Sequence, residues 1–137
     1  KAVRADTLVI AVTVLTSFDE DSFGRTMNRS GGYSLSEHVM HLAKIAKESG
    51  MDGVVCSSHE LEMIKASCGK DFVAVVPGIR PSWECGSDDQ RRVMTPERAR
   101  KLGADYLVVG RPVLKAENPA DAALRIIREM KGDGTSL

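Results

Sequence analysis

The stretch FVAVVPGIRP, residues 72–81, carries the pattern that decides the fold. It begins with five apolar residues, mostly valine, a length and composition typical of one β-strand. A Pro-Gly pair ends the run. Comparable short apolar runs occur at 8–12, 53–56 and 106–109. The run at 8–12 is almost continuous in apolar residues, as in strands of a parallel sheet that are covered on both faces.

Segments with helical features separate these strands. Residues 36–49 place Val39, Leu42, Ala43 and Ala46 at helical spacing. Residues that commonly cap helices precede the other helical segments. The connection between the first strand and residue 36 is expected to be polar and irregular. The predicted helix starts are Ser36, Ser57 or Ser58, Thr95-Pro96, and Asn118-Pro119, the last helix running to about Met130.

This alternation predicts an α/β fold of four βα units with parallel strands. A (β/α)8 TIM barrel has eight such units and typically about 250 residues, so these units correspond to half of one. We therefore expect residues 1–137 to form a single half-barrel domain, with residues 131–137 as a frayed tail. The sequence has no initiator methionine, and residue 1 is expected to be a cut rather than a natural start.

Composition excludes several classes of function. Nineteen Lys and Arg residues balance nineteen Asp and Glu residues, and aromatic residues make up only 4%. The chain therefore lacks the overall charge and the stacking side chains expected for nucleic-acid or anionic-membrane partners. No apolar run is long enough to cross a membrane. The three cysteines are an odd number without CxxC spacing, which favours a reducing, cytoplasmic compartment.

Candidate anion-binding residues follow the third and fourth strands. In βα barrels, functional residues lie in loops at the carboxyl ends of strands. Arg80 and Arg111 offer planar, permanently charged groups suited to phosphate, and Gly110 leaves the backbone open to approach. The alternative interpretation is that they are solvated surface arginines and a turn glycine. After the first strand, the hydroxyl of Thr16 is a weaker candidate for reading a polar substrate edge.

Five motifs carry a resemblance to a known family. They occur in order along nearly the whole chain, and together they resemble the carboxyl-terminal half of bacterial orotidine 5'-phosphate decarboxylase. The resemblance implies a lyase that converts orotidine 5'-monophosphate to uridine 5'-monophosphate and carbon dioxide, with no metal or organic cofactor. The motifs are AVTVLTS (11–17), DGVVCS (52–57), PGIRP (77–81), DQRRVMTP (89–96) and GADYLVVGRP (103–112).

The same resemblance implies roles for five residues. Thr16 is expected to bind the pyrimidine, while Arg80, Gln90, Gly110 and Arg111 hold the ribose phosphate beneath the loop between Arg80 and Gln90. The DxKxxD motif that carries the family's chemistry is absent from these 137 residues. The chain alone is therefore expected to be inactive. Two alternatives stay open: a non-catalytic phosphate-binding half-barrel, and a related sugar-phosphate barrel enzyme.

Three further expectations concern other residues. His38 and His41 share a helix face, but without a third ligand no metal site is predicted. Cys56 is expected to be a small buried apolar side chain, because a nucleophile would need a nearby base. A half-barrel leaves strand edges and an apolar inner face open, so we expect self-association or pairing with a complementary half-barrel.

Overall fold

The computed structural model describes residues 6–27, 34–84 and 94–132. Its four strands form one parallel sheet in the order β1-β2-β3-β4. Each successive strand lies beside the one before it, as expected when βα units follow one another. The predicted architecture of four parallel βα units is therefore confirmed. The strands are β1 (Ile10–Val12), β2 (Gly53–Val55), β3 (Val73–Val76) and β4 (Tyr106–Leu107).

Six α-helices and one short 3-10 turn accompany the described strands. No helix of the described residues is both long and apolar enough to cross a membrane. The described part of the chain ends just beyond α6, so most of the tail predicted at 131–137 lies outside it. The helices are α1 (Glu20–Thr26), α2 (Leu35–Glu48), α3 (Leu61–Cys68), α4 (Pro96–Lys101), α5 (Arg111–Leu114) and α6 (Pro119–Lys131), and the 3-10 turn is Ser82–Glu84.

The predicted starts of α4 and α6 are confirmed. The Thr95 hydroxyl accepts the N–H of Arg98 at 3.3 Å, and Pro96 occupies the first helical position. Asn118 caps α6 in the same way by accepting the N–H of Asp121 at 3.3 Å. These caps satisfy backbone donors that have no partner inside the helix, which explains why local sequence alone identified them.

Helix α2 begins one residue earlier than predicted. Ser34 is its cap and forms a capping box with Glu37. Of the predicted apolar stripe, Val39, Ala43 and Ala46 are buried.

The prediction of an irregular connection before residue 36 was wrong in part, because this segment contains α1. Asp19 and Ser22 form a capping box at the start of this helix. Phe23 is its one buried residue, and the ring lies 6.3 Å from the ring of Phe18 and 5.1 Å from the ring of His38. One buried aromatic residue does not make a periodic stripe, so the pattern that identifies longer helices is missing here.

The predicted capping of α3 was also wrong. The residue at the cap position is Glu60, which makes no capping hydrogen bond. The Ser57 hydroxyl instead accepts the N–H of His59 at 3.2 Å and donates to the Glu60 carboxylate. The serine thus organises the turn before the helix rather than the helix end itself.

One face of the sheet is buried and the other is open among the described residues. Val54, Ala74 and Val76 are fully buried beneath the helices. Side chains alternate between faces along a strand, and Val12 and Tyr106 lie on the opposite face in register with Val55 and Val75. Val12 is 61% exposed and Tyr106 is 53% exposed. The expectation that the strand at 8–12 is covered on both faces is therefore wrong for the described residues, because the helices cover only one face of the sheet.

A partly buried ion pair joins α3 to the amino-terminal ends of β3 and β4. Lys65 Nζ donates to Asp105 Oδ2 at 2.6 Å and to the carbonyls of Lys70 and Phe72 at 3.0 and 2.8 Å. The same Asp105 oxygen accepts the N–H of Ala74 at 2.8 Å. Gly103, with φ +105°, passes so close that a Cβ there would lie 3.1 Å from the Lys65 stem. The pair therefore fixes where the fourth strand begins.

We predict that Gly53→Ala destabilises the fold severely. A Cβ at Gly53 would lie 2.1 Å from the Val73 carbonyl oxygen on the neighbouring strand, so the two strands would have to separate. The expected loss in free energy of unfolding is about 3 kcal/mol, measured by urea denaturation. Gly24→Ala in α1 is the matched control, because its Cβ would meet no atom within 4 Å. It should leave stability equal or raise it by up to about 1 kcal/mol. Equal stabilities for the two variants would contradict the close approach of β2 and β3.

Candidate functional site

An open cleft of about 680 Å³ lies at the carboxyl-terminal ends of β3 and β4. The loop after β3 forms one wall, and the segment from Val108 through α5 forms the other. Because the strands are parallel neighbours, the residues that follow them meet at one edge of the sheet. The structure therefore brings together three of the five predicted site residues. The cleft is lined by Pro77, Gly78, Ile79, Arg80, Glu84, Val108, Gly110, Arg111, Pro112 and Lys115.

The cleft carries a local excess of positive charge. Among the described residues, Arg80, Arg111 and Lys115 line it, and Glu84 is the one acidic lining residue. Within the described ranges, neither arginine side chain forms a hydrogen bond or ion pair. Guanidinium groups that lack an internal partner and share one concave surface are suited to a multivalent anion such as phosphate.

Backbone geometry keeps this cleft open and places Arg80. The Arg80 N–H donates to the Met94 carbonyl at 3.1 Å, which joins the two ends of the loop after β3. Gly78 has φ +76°, a conformation that favours glycine. At Gly110 a Cβ would meet no atom within 4 Å, so the missing side chain leaves free space rather than relieving a clash.

Lys115 is a cationic cleft residue that sequence reasoning missed. It directly follows α5, the one-turn helix that starts at Arg111 and was not predicted. Residues four apart lie on the same side of a helix, which places Lys115 on the side of Arg111. The four-residue spacing of Arg111 and Lys115 is visible in the sequence GRPVLK. It indicates a shared side only if a helix after Gly110 is already expected.

Thr16 lines a different, smaller cavity of about 220 Å³ at the ends of β1 and β2. Its other polar lining residues are Ser57, His59 and Glu60, and its apolar walls come from the segment after β1 and from α2. Glu60 is only 5% exposed and is held by the Ser57 hydroxyl. Thr16 and the two arginines therefore line different cavities. Both cavities lie at the carboxyl-terminal end of the sheet. Gln90, the fifth predicted site residue, lies outside the described residues.

Cys56 is buried, as expected. It is 0% exposed at the end of β2. Burial raises the pKa of its thiol to about 12, the Glu60 carboxylate acts in the same direction, and Lys65 opposes them. A thiol held in this protonated state is a poor nucleophile.

The two candidate metal-binding histidines have different surroundings. His38 packs against Phe23, whereas His41 on the same helix is exposed. Within the described ranges, no group of three or more His, Cys, Asp or Glu residues could hold a metal ion.

Fold and site together define a class: an α/β chain of barrel type whose cationic cleft lies at the carboxyl ends of parallel strands. Comparison with known proteins identifies the family. Residues 1–126 match the family model described as orotidine 5'-phosphate decarboxylase / HUMPS family. The chain belongs to this family, and the resemblance seen in the five motifs is confirmed.

Curated relatives and solved structures agree with this assignment. Orotidine 5'-phosphate decarboxylase of Geobacter sp. (strain M21) is 50% identical over 124 residues, which cover 89% of this chain and 49% of that protein. The enzyme of Saccharophagus degradans is 52% identical over 126 residues, covering 90% of this chain and 50% of that protein. The chain therefore spans about half the length of the curated relatives it matches.

Solved structures extend the comparison to the fold. A crystal structure of orotidine 5'-phosphate decarboxylase from Lactobacillus acidophilus matches with a TM-score of 0.76 and 36% identity, over 95% of this chain and 52% of that one. The enzyme from Pyrococcus horikoshii is 21% identical with a TM-score of 0.63, over 91% of this chain and 51% of that one, and supports the fold alone. The predicted half of a TIM barrel is confirmed.

We predict that Cys56 resists thiol reagents while the protein is folded. With a pKa of about 12, only about 10⁻⁴ of the thiol is ionised at pH 8. The buried position adds a barrier to access. Iodoacetamide labelling followed by peptide mass spectrometry should show modification of Cys56 only after denaturant is added. Rapid labelling of Cys56 in native buffer would contradict the described packing at the end of β2.

Proposed function

We propose that this chain is the phosphate- and pyrimidine-binding, carboxyl-terminal half of an orotidine 5'-phosphate decarboxylase. The observation that carries the proposal is that Arg80 and Arg111 line one cleft at the ends of neighbouring strands, with side chains that have no partner among the described residues. Family membership supports it, because the chain is about 50% identical to curated enzymes of that name. The reaction is decarboxylation of orotidine 5'-monophosphate to uridine 5'-monophosphate in pyrimidine biosynthesis, without a cofactor, in the cytoplasm.

In this proposal the arginine cleft binds the ribose phosphate. Arg80 and Arg111 donate charged hydrogen bonds to the phosphate oxygens, each worth about 1.5–3 kcal/mol. Gly110 lets the phosphate approach the backbone, and Gln90 supplies a further contact from the loop after β3. Thr16 contacts the pyrimidine from the neighbouring cavity, where its hydroxyl reads a polar edge of the ring.

The phosphate does not react, yet its binding energy serves the chemistry. Holding the non-reacting end of the substrate orients the ring and lowers the cost of reaching the transition state. The charged DxKxxD array that the family uses at the reacting carbon is not in these 137 residues. We therefore propose that this chain alone binds the nucleotide without decarboxylating it.

We predict that uridine 5'-monophosphate binds and stabilises the wild-type chain, and that Arg80→Gln and Arg111→Gln each weaken binding about 10- to 100-fold. Isothermal titration calorimetry measures the affinities. Arg100→Gln on α4 is the matched control, because Arg100 is exposed and does not line the cleft. Equal affinity in all three variants would overturn the cleft as the phosphate site.

Two further ligands and an activity assay complete this experiment. Uridine without its phosphate should bind much more weakly, and ribose 5-phosphate binding as tightly as the nucleotide would favour a sugar-phosphate enzyme instead. Carbon dioxide release from orotidine 5'-monophosphate should be absent with the purified 137-residue chain. Turnover that survives removal of contaminating full-length enzyme would contradict the proposed inactivity.

We also propose that the open face of the sheet is covered by a second copy of the chain or by a complementary half-barrel. Val12, Tyr106 and Val108 are each more than half exposed on this face. Apolar side chains gathered on one surface favour association, because each buried side chain contributes about 1.5–3 kcal/mol. The chain is therefore proposed to act as part of an assembled barrel.

We predict that the isolated chain is a dimer and that Tyr106→Glu shifts it toward monomer, measured by sedimentation velocity. The charge would have to be buried in the interface, which is unfavourable. Ile45→Glu is the control, because Ile45 is a comparably exposed apolar residue on α2, on the helical side of the sheet. A wild-type chain that stays monomeric at high concentration would overturn the proposed self-association.

A further inference from the structure

Helix α6 contacts both walls of the arginine cleft. At its amino-terminal end it is joined through a short connection to α5, the helix that begins with Arg111. Along its length it packs against α4 and α5. At its carboxyl-terminal end it contacts the 3-10 turn that closely follows Arg80. No described residue of α6 itself lines the cleft.

The contact with the 3-10 turn uses two side chains of α6. Glu129 accepts the N–H of Ser82 with both carboxylate oxygens at 3.2 Å, and it also accepts the Ser82 hydroxyl at 3.2 Å. The guanidinium carbon of Arg125 lies 4.1 Å from the centre of the Trp83 ring, which is a cation–π contact. Arg125 and Glu129 are four residues apart and share one side of the helix.

Arg80 lies between two buried residues, and Pro81 alone connects it to this turn. Pro81 is buried, and Ile79 is 3% exposed. Glu84 closes the turn by donating its N–H to the Pro81 carbonyl at 3.0 Å. Because only Pro81 separates Arg80 from Ser82, a shift of the turn moves the Arg80 backbone with it.

We infer that α6 sets the separation of Arg80 and Arg111 across the cleft, and that Glu129 and Arg125 are positioning residues for phosphate binding. The inference rests on the proposed function of the cleft and assigns roles to residues that do not touch the ligand. Two arginines bind one phosphate well only when both reach it at once, so their spacing determines affinity. Losing either contact with the turn lets the Arg80 wall move while the Arg111 wall stays in place.

The chain offers matched variants for the test. Arg125→Gln and Arg128→Gln each remove one positive charge from α6, but only Arg125 contacts Trp83. We expect Arg125→Gln and Glu129→Ala to weaken uridine 5'-monophosphate binding about three- to tenfold, and Arg128→Gln to leave it unchanged. Arg125→Lys keeps a cation near the ring and should restore most of the affinity.

A double substitution separates positioning from general damage. If α6 acts through Arg80, adding Arg125→Gln to an Arg80→Gln chain should produce little further loss of affinity. A full additional three- to tenfold loss in that background would overturn the inference, as would unchanged affinity in both Arg125→Gln and Glu129→Ala. Urea denaturation checks that the variants remain folded.

A ligand-free measurement tests the contact directly. Trp83 is the chain's single tryptophan, so its fluorescence reports on the turn alone. Acrylamide, which is uncharged, should quench it more strongly in Arg125→Gln than in Arg128→Gln. Equal quenching overturns this inference while leaving the proposed function in place. A wild-type chain that binds neither uridine 5'-monophosphate nor inorganic phosphate overturns both.

Discussion

The ion pair between Lys65 and Asp105 determines how the second half of the sheet is assembled. The ammonium group binds carbonyls that lead into β3, and the carboxylate that it pairs with lies just before β4 and also binds the β3 backbone. The Lys65 side chain is only 12% exposed and that of Asp105 is 34% exposed. Desolvation offsets much of the attraction in such a pair, so its main contribution is geometric. It fixes β4 beside β3, and Arg111 and Arg80 therefore line the same cleft.

Charged side chains at the two ends of this parallel sheet differ in their hydrogen bonding within the protein. At the amino-terminal end, the Lys65 ammonium makes three hydrogen bonds within the protein. At the carboxyl-terminal end, the cleft arginines have no such partners among the described residues. Two cations close together repel each other, a cost that a bound anion removes. One end thus stabilises the fold, while the other end carries charged side chains without protein partners in the described part of the chain.

Local sequence predicted the features that depend on local physics. The caps at Thr95 and Asn118 and the buried stripe of α2 follow from hydrogen bonds and periodicity within a few residues. The short helices α1 and α5 were missed, because seven and four residues cannot show a periodic pattern and depend on tertiary contacts. Lys115 was missed with α5.

The grouping of three candidate residues in one cleft was predicted, because it depends on topology alone. Parallel strands bring the residues after β3 and β4 to one place, so the sequence alone predicts that Arg80, Gly110 and Arg111 lie together. The contact of Trp83 with Arg125 joins segments far apart in the chain, and no spacing rule connects them. Likewise, the cavity that holds Thr16 has walls from α2, whose approach to β1 depends on side-chain packing.

The order of the strands also bears on how the chain reaches this structure. Each described strand pairs with its immediate predecessor, and no described pairing joins the first strand to the last. Each new strand therefore adds to an existing edge after closing only one loop, and the entropy cost of loop closure is distributed over successive small steps. Such a sheet can grow in the direction of synthesis, with each unit supported by the one already formed.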